Sequence, residues 1–359
     1  MIELKKEELE LLSKPQLFYD YSKLSYNLNN SDPIDFKGLN NSKIRNISII
    51  TEYKPCFSIF EKIYRNNSAR LINCPLFLAE LKDKSCVYSF GDRKNINRKN
   101  SGKPCLILIH GFKSKNKKIY LQMAERYARR GIDCLVYFLP FHFERNYIDN
   151  KGINFLDWQD FRVTLELFRQ TIIETRLLLK VLRQIGYDHL GCLGFSFGGY
   201  CCSILGCFEK NVDFIIPMAS IGNFESLMLI KKEKIRDLRN SNKKSSKYGN
   251  PVYLPYNQDP TDLIFEDIVK FNKFLARNFM KLINPVSYKP VISLKKILFI
   301  QGLFDHRAPL FDFFKFRREW GNPQVIFYPC DHFTFFLFNH ITIKTTENFI
   351  KTLCNKLTQ

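Results

Sequence analysis

The string GFSFGG at residues 194–199 contains a serine, Ser196, with one glycine two residues before it and another two residues after it. An apolar run precedes the string and a helical stretch follows it, so we predict that Ser196 lies at a sharp junction between a strand and a helix. Close packing of strand against helix leaves room only for glycine on either side of the turn. A serine hydroxyl in this setting projects from the sheet edge with a helix N-terminus behind it, which is typical of a nucleophile.

A serine needs two partners before it can attack a carbonyl carbon. A histidine must lie within hydrogen-bond reach to take the hydroxyl proton, and a carboxylate must orient the imidazole. The sequence places Asp305 shortly after the apolar run ILFIQ and His332 shortly after the next such run, VIFYP. The chain order is serine, aspartate, histidine, and only 6 histidines occur in the chain. We therefore predict that Ser196, Asp305 and His332 act together as a catalytic triad.

Two other carboxylates are candidates for the acid of this triad. Asp331 directly precedes His332, but neighbouring residues on a loop rarely point the same way. Glu225 lies just beyond a further predicted strand that ends near Ser220. Both are weaker candidates than Asp305, whose place in the order of elements fits best.

Apolar runs of strand length alternate with stretches of helix length from residue 104 onward. The predicted strands cover residues 104–112, 132–140, 189–195, 212–220, 295–305 and 323–331. The predicted helices cover residues 117–131, 158–185, 198–208, 308–319 and 335–357. This alternation, with nearly continuous apolar strands, predicts an α/β fold in which a mostly parallel sheet carries helices on both faces.

The alternation is interrupted at about residues 222–290. Two helical stretches with a polar loop between them separate the predicted strands at 212–220 and 295–305. We predict that this segment is a helical cap insertion over the ends of the sheet, where it limits the size of the substrate.

The first part of the chain has a different pattern. It begins with a helix and continues with an Asn-rich loop at residues 28–47, a helical or mixed segment at 50–66 and strand-like pieces at 70–90. These pieces are expected to add antiparallel strands to the edge of the sheet and a cover over it. We predict an N-terminal extension over residues 1–85 that packs on a main domain over residues 86–357.

Together these motifs resemble those of the α/β-hydrolase superfamily over about residues 85–357. HGF at residues 110–112 is similar to the oxyanion loop of that fold, GFSFGG to its nucleophile elbow, GLFD to its acid turn and DHF to its histidine loop. LPFHFER at residues 139–145, with the long helix after it, resembles capped serine esterases of the dienelactone-hydrolase-like branch. Residues 1–85 have no equivalent that the sequence identifies.

The resemblance implies a role for each matching residue. Ser196 would attack the carbonyl carbon, His332 would carry the proton to the leaving group, and Asp305 would hold the imidazole in one tautomer. The backbone N–H groups of Phe112 and Phe197 would form the oxyanion hole, so the side chains there matter little. This chemistry implies no metal and no cofactor.

Other residues near these motifs have more than one interpretation. His110 is predicted to shape its loop rather than to catalyse. His142 and Arg145 are expected near the mouth of the pocket, where they either bind a polar or acidic group of the substrate or form a pair within the loop. The Phe-rich strings at residues 311–316 and 333–338 are typical of the core faces of helices, and some of their rings are candidates for an apolar acyl pocket.

The composition excludes several classes of protein. The net charge is +20, but the charges are scattered and no recognised binding motif accompanies them, so we expect no specific nucleic-acid partner and attribute the charge to biased composition. The 11 cysteines show neither metal-ligand nor disulfide spacing, which indicates reduced thiols in a cytosol. With no secretory signal and no apolar run of membrane-spanning length, the sequence predicts a cytoplasmic protein.

The leading hypothesis is a serine hydrolase that cleaves the carboxylic ester of a small molecule or lipid, or less favourably a thioester or amide, through an acyl-enzyme. An acyltransferase, or a peripheral lipase in weak contact with an anionic membrane, would use the same triad. A non-catalytic hydrolase-like binding protein is the alternative from another class. The presence of the serine, the acid and the histidine together argues against it.

Overall fold

The computed structural model describes residues 6–22, 24, 26–29, 44–57, 61, 71–77, 103–145, 161–224 and 280–357. The strands in these ranges are β1 (Tyr26–Asn29), β2 (Ile44–Thr51), β3 (Leu71–Phe77), β4 (Pro104–Ile109), β5 (Asp133–Tyr137), β6 (His189–Phe195), β7 (Phe214–Met218), β8 (Leu298–Gly302) and β9 (Gln324–Tyr328). They form one sheet in the spatial order β1-β2-β3-β5-β4-β6-β7-β8-β9.

The helices follow the predicted alternation closely. They are α1 (Lys6–Ser13), α2 (Pro15–Phe18), α3 (Lys118–Ala128), α4 (Phe161–Gln184), α5 (Phe197–Phe208), α6 (Leu310–Glu319) and α7 (Asn339–Leu357). The last helix begins four residues later than predicted, because Thr334–Phe338 form a 3₁₀ helix before it. Helix α3 ends as predicted before Gly131, whose φ of 87° is in the left-handed region that favours glycine.

The sheet is mostly parallel, as predicted. Strands β5, β4, β6, β7, β8 and β9 are joined by parallel pairings throughout. The carboxyl ends of parallel strands lie at one edge of a sheet, so the loops that follow β4, β5, β6, β8 and β9 meet there. This edge is where a sequence-predicted nucleophile, acid and histidine can come together.

The strands are apolar on both faces because each face is covered. In β4, Cys105, Ile107 and Ile109 belong to one buried cluster, which also contains side chains of α4, α5 and α6. Leu106 and Leu108, which alternate with them, belong to a second cluster with side chains of α3 and α7. The predicted arrangement of helices on both faces is therefore confirmed.

The N-terminal residues belong to the same sheet. Strand β2 pairs antiparallel with β1 on one side and with β3 on the other, and β3 pairs antiparallel with β5, so these strands extend the sheet with antiparallel pairings as the sequence predicts. The segment expected to be helical or mixed at 50–66 completes β2 at Thr51 and then continues without regular structure to residue 57. The boundary proposed at residue 85 stays a prediction, because residues 78–102 lie outside the described residues.

A buried polar cluster attaches the N-terminal segment to helix α4. Arg169 donates to the carbonyl oxygens of Phe18 and Lys54 and to the hydroxyl of Tyr53, at 2.8–2.9 Å. Glu166 accepts from the Tyr53 hydroxyl and from the backbone N–H of Cys56, and burial raises its pKa. These bonds satisfy polar groups that would otherwise be costly to bury.

For three further predictions, on the cap insertion, the cysteines and membrane-spanning helices, the structure describes only some of the residues concerned. Most of the cap insertion, residues 225–279, lies outside them. The cysteines that are described are all free thiols, and most are buried among apolar side chains. No helix among the described residues has both the length and the apolar content to cross a membrane.

Candidate active site

The turn that carries Ser196 is under backbone strain. Ser196 has φ 54° and ψ −116°, between the end of β6 and the start of α5. Its N–H donates to the Met218 carbonyl at 2.9 Å, and its own carbonyl accepts the N–H of Tyr200 at 2.9 Å to begin the helix. Positive φ is unfavourable for a serine, and such strain persists only where neighbouring contacts leave the chain no alternative.

Close backbone contacts around the turn explain its glycines. A Cβ atom at Gly194 would lie 2.0 Å from the Gly198 carbonyl oxygen, and one at Gly198 would lie 2.3 Å from the Ile109 carbonyl oxygen. A Cβ atom at Gly199 would lie 2.5 Å from the Met218 carbonyl oxygen. The glycines before and after Ser196 are therefore required by the approach of β6, α5 and the end of β4, which is the packing predicted from the string.

The structure brings Ser196, Asp305 and His332 into one hydrogen-bonded chain. His332 Nε2 lies 2.8 Å from Ser196 Oγ, and His332 Nδ1 lies 2.8 Å from Asp305 Oδ2. The second carboxylate oxygen of Asp305 accepts the backbone N–H groups of Arg307 and Ala308, each at 2.9 Å. This carboxylate is thus held in one orientation and leaves one oxygen for the imidazole.

The surroundings of the three side chains limit their contact with water. Asp305 and His332 are buried, whereas Ser196 is half-buried at the sheet edge. The imidazole packs on the Phe195 ring with centroids 5.2 Å apart. Helix α5 begins directly after Ser196, so the positive end of its dipole faces the serine oxygen and favours negative charge there. The arrangement can take a proton from Ser196 and stabilise the resulting imidazolium.

Of the two alternative acids, the structure describes Asp331 but not Glu225. The carboxylate of Asp331 accepts the N–H groups of Thr334 and Phe333, which lower its pKa and cap the 3₁₀ turn after the histidine. The Asp331 carboxylate therefore forms hydrogen bonds within its own loop, while the Asp305 carboxylate contacts the imidazole. Glu225 lies outside the described residues.

The two backbone groups predicted for the oxyanion hole lie on neighbouring elements. Phe197 is the first residue of α5, where a backbone N–H has no partner within the helix. Phe112 lies in the loop after β4, and its ring centroid is 6.0 Å from that of Phe197. Because Gly198, the second residue of α5, contacts the end of β4 directly, the start of α5 and the loop after β4 lie side by side.

The structure places Arg145 in the protein interior. Its guanidinium makes two hydrogen bonds to the Glu174 carboxylate, at 2.7 and 2.8 Å, and one to the Phe138 carbonyl at 2.9 Å. Both side chains of the ion pair are buried. Of the two hypotheses for Arg145, these contacts match the structural one, but the partner is Glu174 on helix α4 and not His142. The structure therefore gives Arg145 a buried ion-pair partner rather than the exposed position expected of a substrate-binding residue at a pocket mouth.

Sequence reasoning missed Glu174, although a signal was available. Glu166, Gln170 and Glu174 recur every four residues on the apolar face of α4, and all three are buried. Buried polar side chains at this spacing indicate partners on a neighbouring element. Gln170 itself donates to Glu174 at 2.7 Å.

Two buried histidines hold the loops beside the serine. His110 Nε2 accepts the Leu139 N–H at 3.0 Å, and His142 Nε2 accepts the Lys113 N–H at 3.1 Å. Burial lowers the pKa of His110 to about 3 and that of His142 to about 4. Both rings are therefore neutral near pH 7. His110 shapes its loop, as predicted, and His142 makes the same kind of contact from the facing loop.

The Phe-rich strings divide between the core and the surface. Phe313, Phe316 and Phe335 are buried, which agrees with the prediction of core faces. Phe333, next to His332, is 67% exposed, and its ring centroid lies 5.8 Å from the imidazole. The exposed rings thus include one directly beside the hydrogen-bonded chain.

Comparison with known proteins identifies the fold. No protein-family model and no curated protein matches the sequence. Among solved structures, acetyl xylan esterase 1 from Thermoanaerobacterium sp. JW/SL YS485 is 12% identical with a TM-score of 0.53, and the match covers 97% of this chain and 95% of that one. The acetyl xylan esterase from Paenibacillus sp. R4 is 11% identical with a TM-score of 0.53, covering 98% of this chain and 96% of that one.

The likeness shows that this chain has the α/β-hydrolase fold, as the sequence predicts. At 97% coverage of the chain, the match extends into the N-terminal strands β1 to β3, which lie in the part for which the sequence alone suggested no equivalent. The N-terminal strands are therefore part of the structural likeness as well as of the sheet.

The contacts around the elbow predict the effect of Gly198→Ala. The new methyl group would meet the carbonyl oxygens of Ile109 and His110, which belong to the backbone and cannot rotate away. We expect the free energy of unfolding in urea to fall by about 1–3 kcal/mol. In Gly206→Ala, in the same helix, the closest contact is the terminal methyl group of Ile215 at 2.6 Å, the far end of a side chain that can move, so we expect stability to change by less than about 1 kcal/mol. Equal losses in the two variants would contradict this account.

The buried histidines predict a loss of stability in acid. Because the folded-state pKa values of His110 and His142 lie below the usual 6.5, the unfolded chain binds more protons between about pH 6.5 and 4. The stability that the two neutral rings contribute is complete above pH 6.5 and is lost as the pH falls toward their folded-state pKa values. The loss of unfolding free energy at pH 4 is on the order of 3 kcal/mol for each ring. We expect His142→Gln to flatten the fall in unfolding free energy between pH 7 and 4, and the exposed control His340→Gln to leave it unchanged. The same slope in all three proteins would show that His142 is not a buried neutral ring.

Proposed function

We propose that this protein is a serine hydrolase that cleaves a carboxylic ester through an acyl-enzyme intermediate. The observation that carries the proposal is the pair of 2.8 Å contacts that joins Ser196 Oγ to His332 and His332 to Asp305. A serine without a catalytic role requires neither a strained backbone nor a neighbouring imidazole that is itself oriented by a buried carboxylate. The α/β-hydrolase fold agrees with this proposal but does not by itself establish activity.

In the proposed first step, His332 Nε2 accepts the proton of the Ser196 hydroxyl while Oγ attacks the carbonyl carbon of the ester. The Asp305 carboxylate accepts a hydrogen bond from Nδ1–H and stabilises the imidazolium that forms. The backbone N–H groups of Phe112 and Phe197 donate to the carbonyl oxygen as it becomes negative. The N-terminus of α5 also stabilises the negative charge on this oxygen, because the positive end of the helix dipole faces it.

The second half of the reaction releases the products. The imidazolium gives its proton to the leaving alkoxide, so the alcohol departs and the acyl group stays on Ser196. A water molecule then gives a proton to His332 Nε2 and attacks the acyl carbon through the same oxyanion contacts. The carboxylic acid leaves as Oγ recovers its proton, and these steps need no cofactor.

Exposed apolar side chains that lie close in sequence to Asp305 and His332 support a substrate with an apolar acyl group. Phe304 precedes Asp305 and is 60% exposed, Phe333 follows His332 and is 67% exposed, and Leu337 is 80% exposed on the 3₁₀ helix after it. We call these three side chains the apolar rim. An acyl chain that covers them removes apolar surface from water, which stabilises the bound ester by about 25 cal/mol per Å².

Fluorophosphonate labelling and turnover of p-nitrophenyl esters test the proposed nucleophile. We expect wild-type protein to be labelled and active, and Ser196→Ala to lose labelling and at least about 10³-fold in kcat. Asp305→Asn is expected to reduce kcat by a factor of about 10⁴ because it no longer holds the imidazole in the correct tautomer. Ser203→Ala is the matched control, since Ser203 is a buried serine in helix α5 whose hydroxyl donates to a backbone carbonyl. Absence of labelling in wild type, or equal labelling of Ser196→Ala, would refute the proposal.

The apolar rim predicts how the rate depends on acyl length. We expect kcat/KM to rise from p-nitrophenyl acetate to the octanoate, because the longer chain reaches the rim. Phe333→Ser should reduce this preference by a few-fold and leave acetate turnover nearly unchanged, whereas Phe314→Ser, which changes an exposed ring on α6, should reduce neither. A preference for acetate in wild type would overturn the role assigned to the rim without affecting the triad.

A further inference from the structure

The loops that follow β4 and β5 are joined by a reciprocal pair of hydrogen bonds. From the first loop, His110 accepts the backbone N–H of Leu139, and from the second, His142 accepts the backbone N–H of Lys113. Each bond spans 29 residues of sequence. We call this arrangement the histidine clasp. It crosses directly beside Phe112, which the proposed mechanism uses as an oxyanion donor.

The tautomer of both rings is determined by their other nitrogens. His110 Nδ1 lies 2.8 Å from the Gly111 carbonyl oxygen, and His142 Nδ1 lies 2.9 Å from the Pro140 carbonyl oxygen. A carbonyl oxygen only accepts, so each Nδ1 carries the proton and each Nε2 presents a lone pair to a backbone N–H. The two rings are buried and pack edge to face, with centroids 5.0 Å apart.

The clasp acts on two consecutive peptide planes. The Gly111 carbonyl that accepts from His110 shares its plane with the Phe112 N–H, and in a trans peptide the two groups point in opposite directions. The bond from His110 therefore sets the direction of the Phe112 N–H. The next plane, between Phe112 and Lys113, is held by the bond from Lys113 N–H to His142.

The loops adopt backbone conformations that need such support. Lys113, Phe141 and Phe143 all have positive φ, at 55°, 63° and 50°. Side chains of these types rarely adopt that region, and they remain there only where surrounding contacts fix the chain. The His142 ring supplies two of these contacts, through Lys113 N–H and through the Phe112 ring 5.7 Å away. The buried Arg145–Glu174 pair anchors the loop that carries His142 to helix α4.

We propose that His110 and His142 are positioning residues that hold the Phe112 N–H in the direction required for the oxyanion hole. The inference rests on the proposed function, because it gives that N–H a reacting oxygen to stabilise. Loss of one oxyanion donor reduces kcat by a factor of about 10²–10³. A variant that keeps the Phe112 N–H but no longer holds its peptide plane in place should show part of this reduction in kcat.

His142→Leu and His142→Gln separate positioning from general stability. Leucine removes the acceptor, whereas the glutamine amide oxygen can still accept the Lys113 N–H. We expect His142→Leu to lower kcat for p-nitrophenyl esters by about 10–100-fold with little change in KM, and His142→Gln to recover most of the loss. His340→Leu, the same change at an exposed histidine on α7, is the control and should match wild type.

Substrates with a thiocarbonyl group provide a readout specific to the oxyanion hole. Sulfur is a weaker acceptor than oxygen, so an enzyme that stabilises the oxyanion strongly prefers the oxo-ester to the thiono-ester. We expect this preference to fall in His142→Leu and to return in His142→Gln. A lower kcat with an unchanged preference would indicate a general structural defect and would overturn the inference, as would unchanged kcat in a folded His142→Leu protein.

Two measurements by NMR test the clasp independently of turnover. In wild type, the ¹⁵N shifts of His110 and His142 should report a proton on Nδ1 in both rings, and a proton on Nε2 in either would overturn the clasp. In His142→Leu, hydrogen exchange of the Lys113 amide should be at least tenfold faster than in His340→Leu. These results stand even if wild type neither turns over esters nor labels at Ser196, an outcome that would refute the proposed function alone.

Discussion

The left-handed backbone of Ser196 is the constraint on which the rest of the site depends. Its N–H bond to Met218 and the helix that begins at its carbonyl hold the turn from both sides. The turn exists only because Gly194, Gly198 and Gly199 allow backbone atoms to approach where a Cβ atom would collide. That approach also brings the end of β4 against the start of α5, so the strain that exposes the serine hydroxyl also aligns the two loops proposed to stabilise the oxyanion.

Buried polar groups around this turn are paired by partners distant in sequence. Arg145 and Glu174 join the loop after β5 to helix α4, Asp305 orients His332 from the loop after β8, and two imidazoles join the loops after β4 and β5. Each contact satisfies a group that would be costly to bury alone. The result is a set of loops at the carboxyl edge of the sheet whose conformations are determined by one another.

The parts of the fold that were predicted correctly have a local signature in the sequence. Strands β4 and β6 read as continuous apolar runs because both faces of the sheet are covered. The Gly-x-Ser-x-Gly string located the elbow because the turn requires glycine at fixed offsets. The N-terminal strands could be predicted only in outline. Strand β3 is paired directly with β5 although β4 comes between them in the sequence, and segments that meet only in the fold leave no fixed spacing in the chain.

The sequence by itself determined the alternation of strands and helices, the place of Ser196, and the two later loops that carry an acid and a histidine. Tertiary structure decided which acid faces the imidazole, because Asp331 is used to cap its own loop while Asp305 leaves one oxygen free for His332. It also decided the hydrogen-bond partners of His142 and Arg145, which a motif places near the serine without saying where they point. A side chain's role depends on the donors and acceptors that folding places around it, and these come from elements that local sequence does not relate.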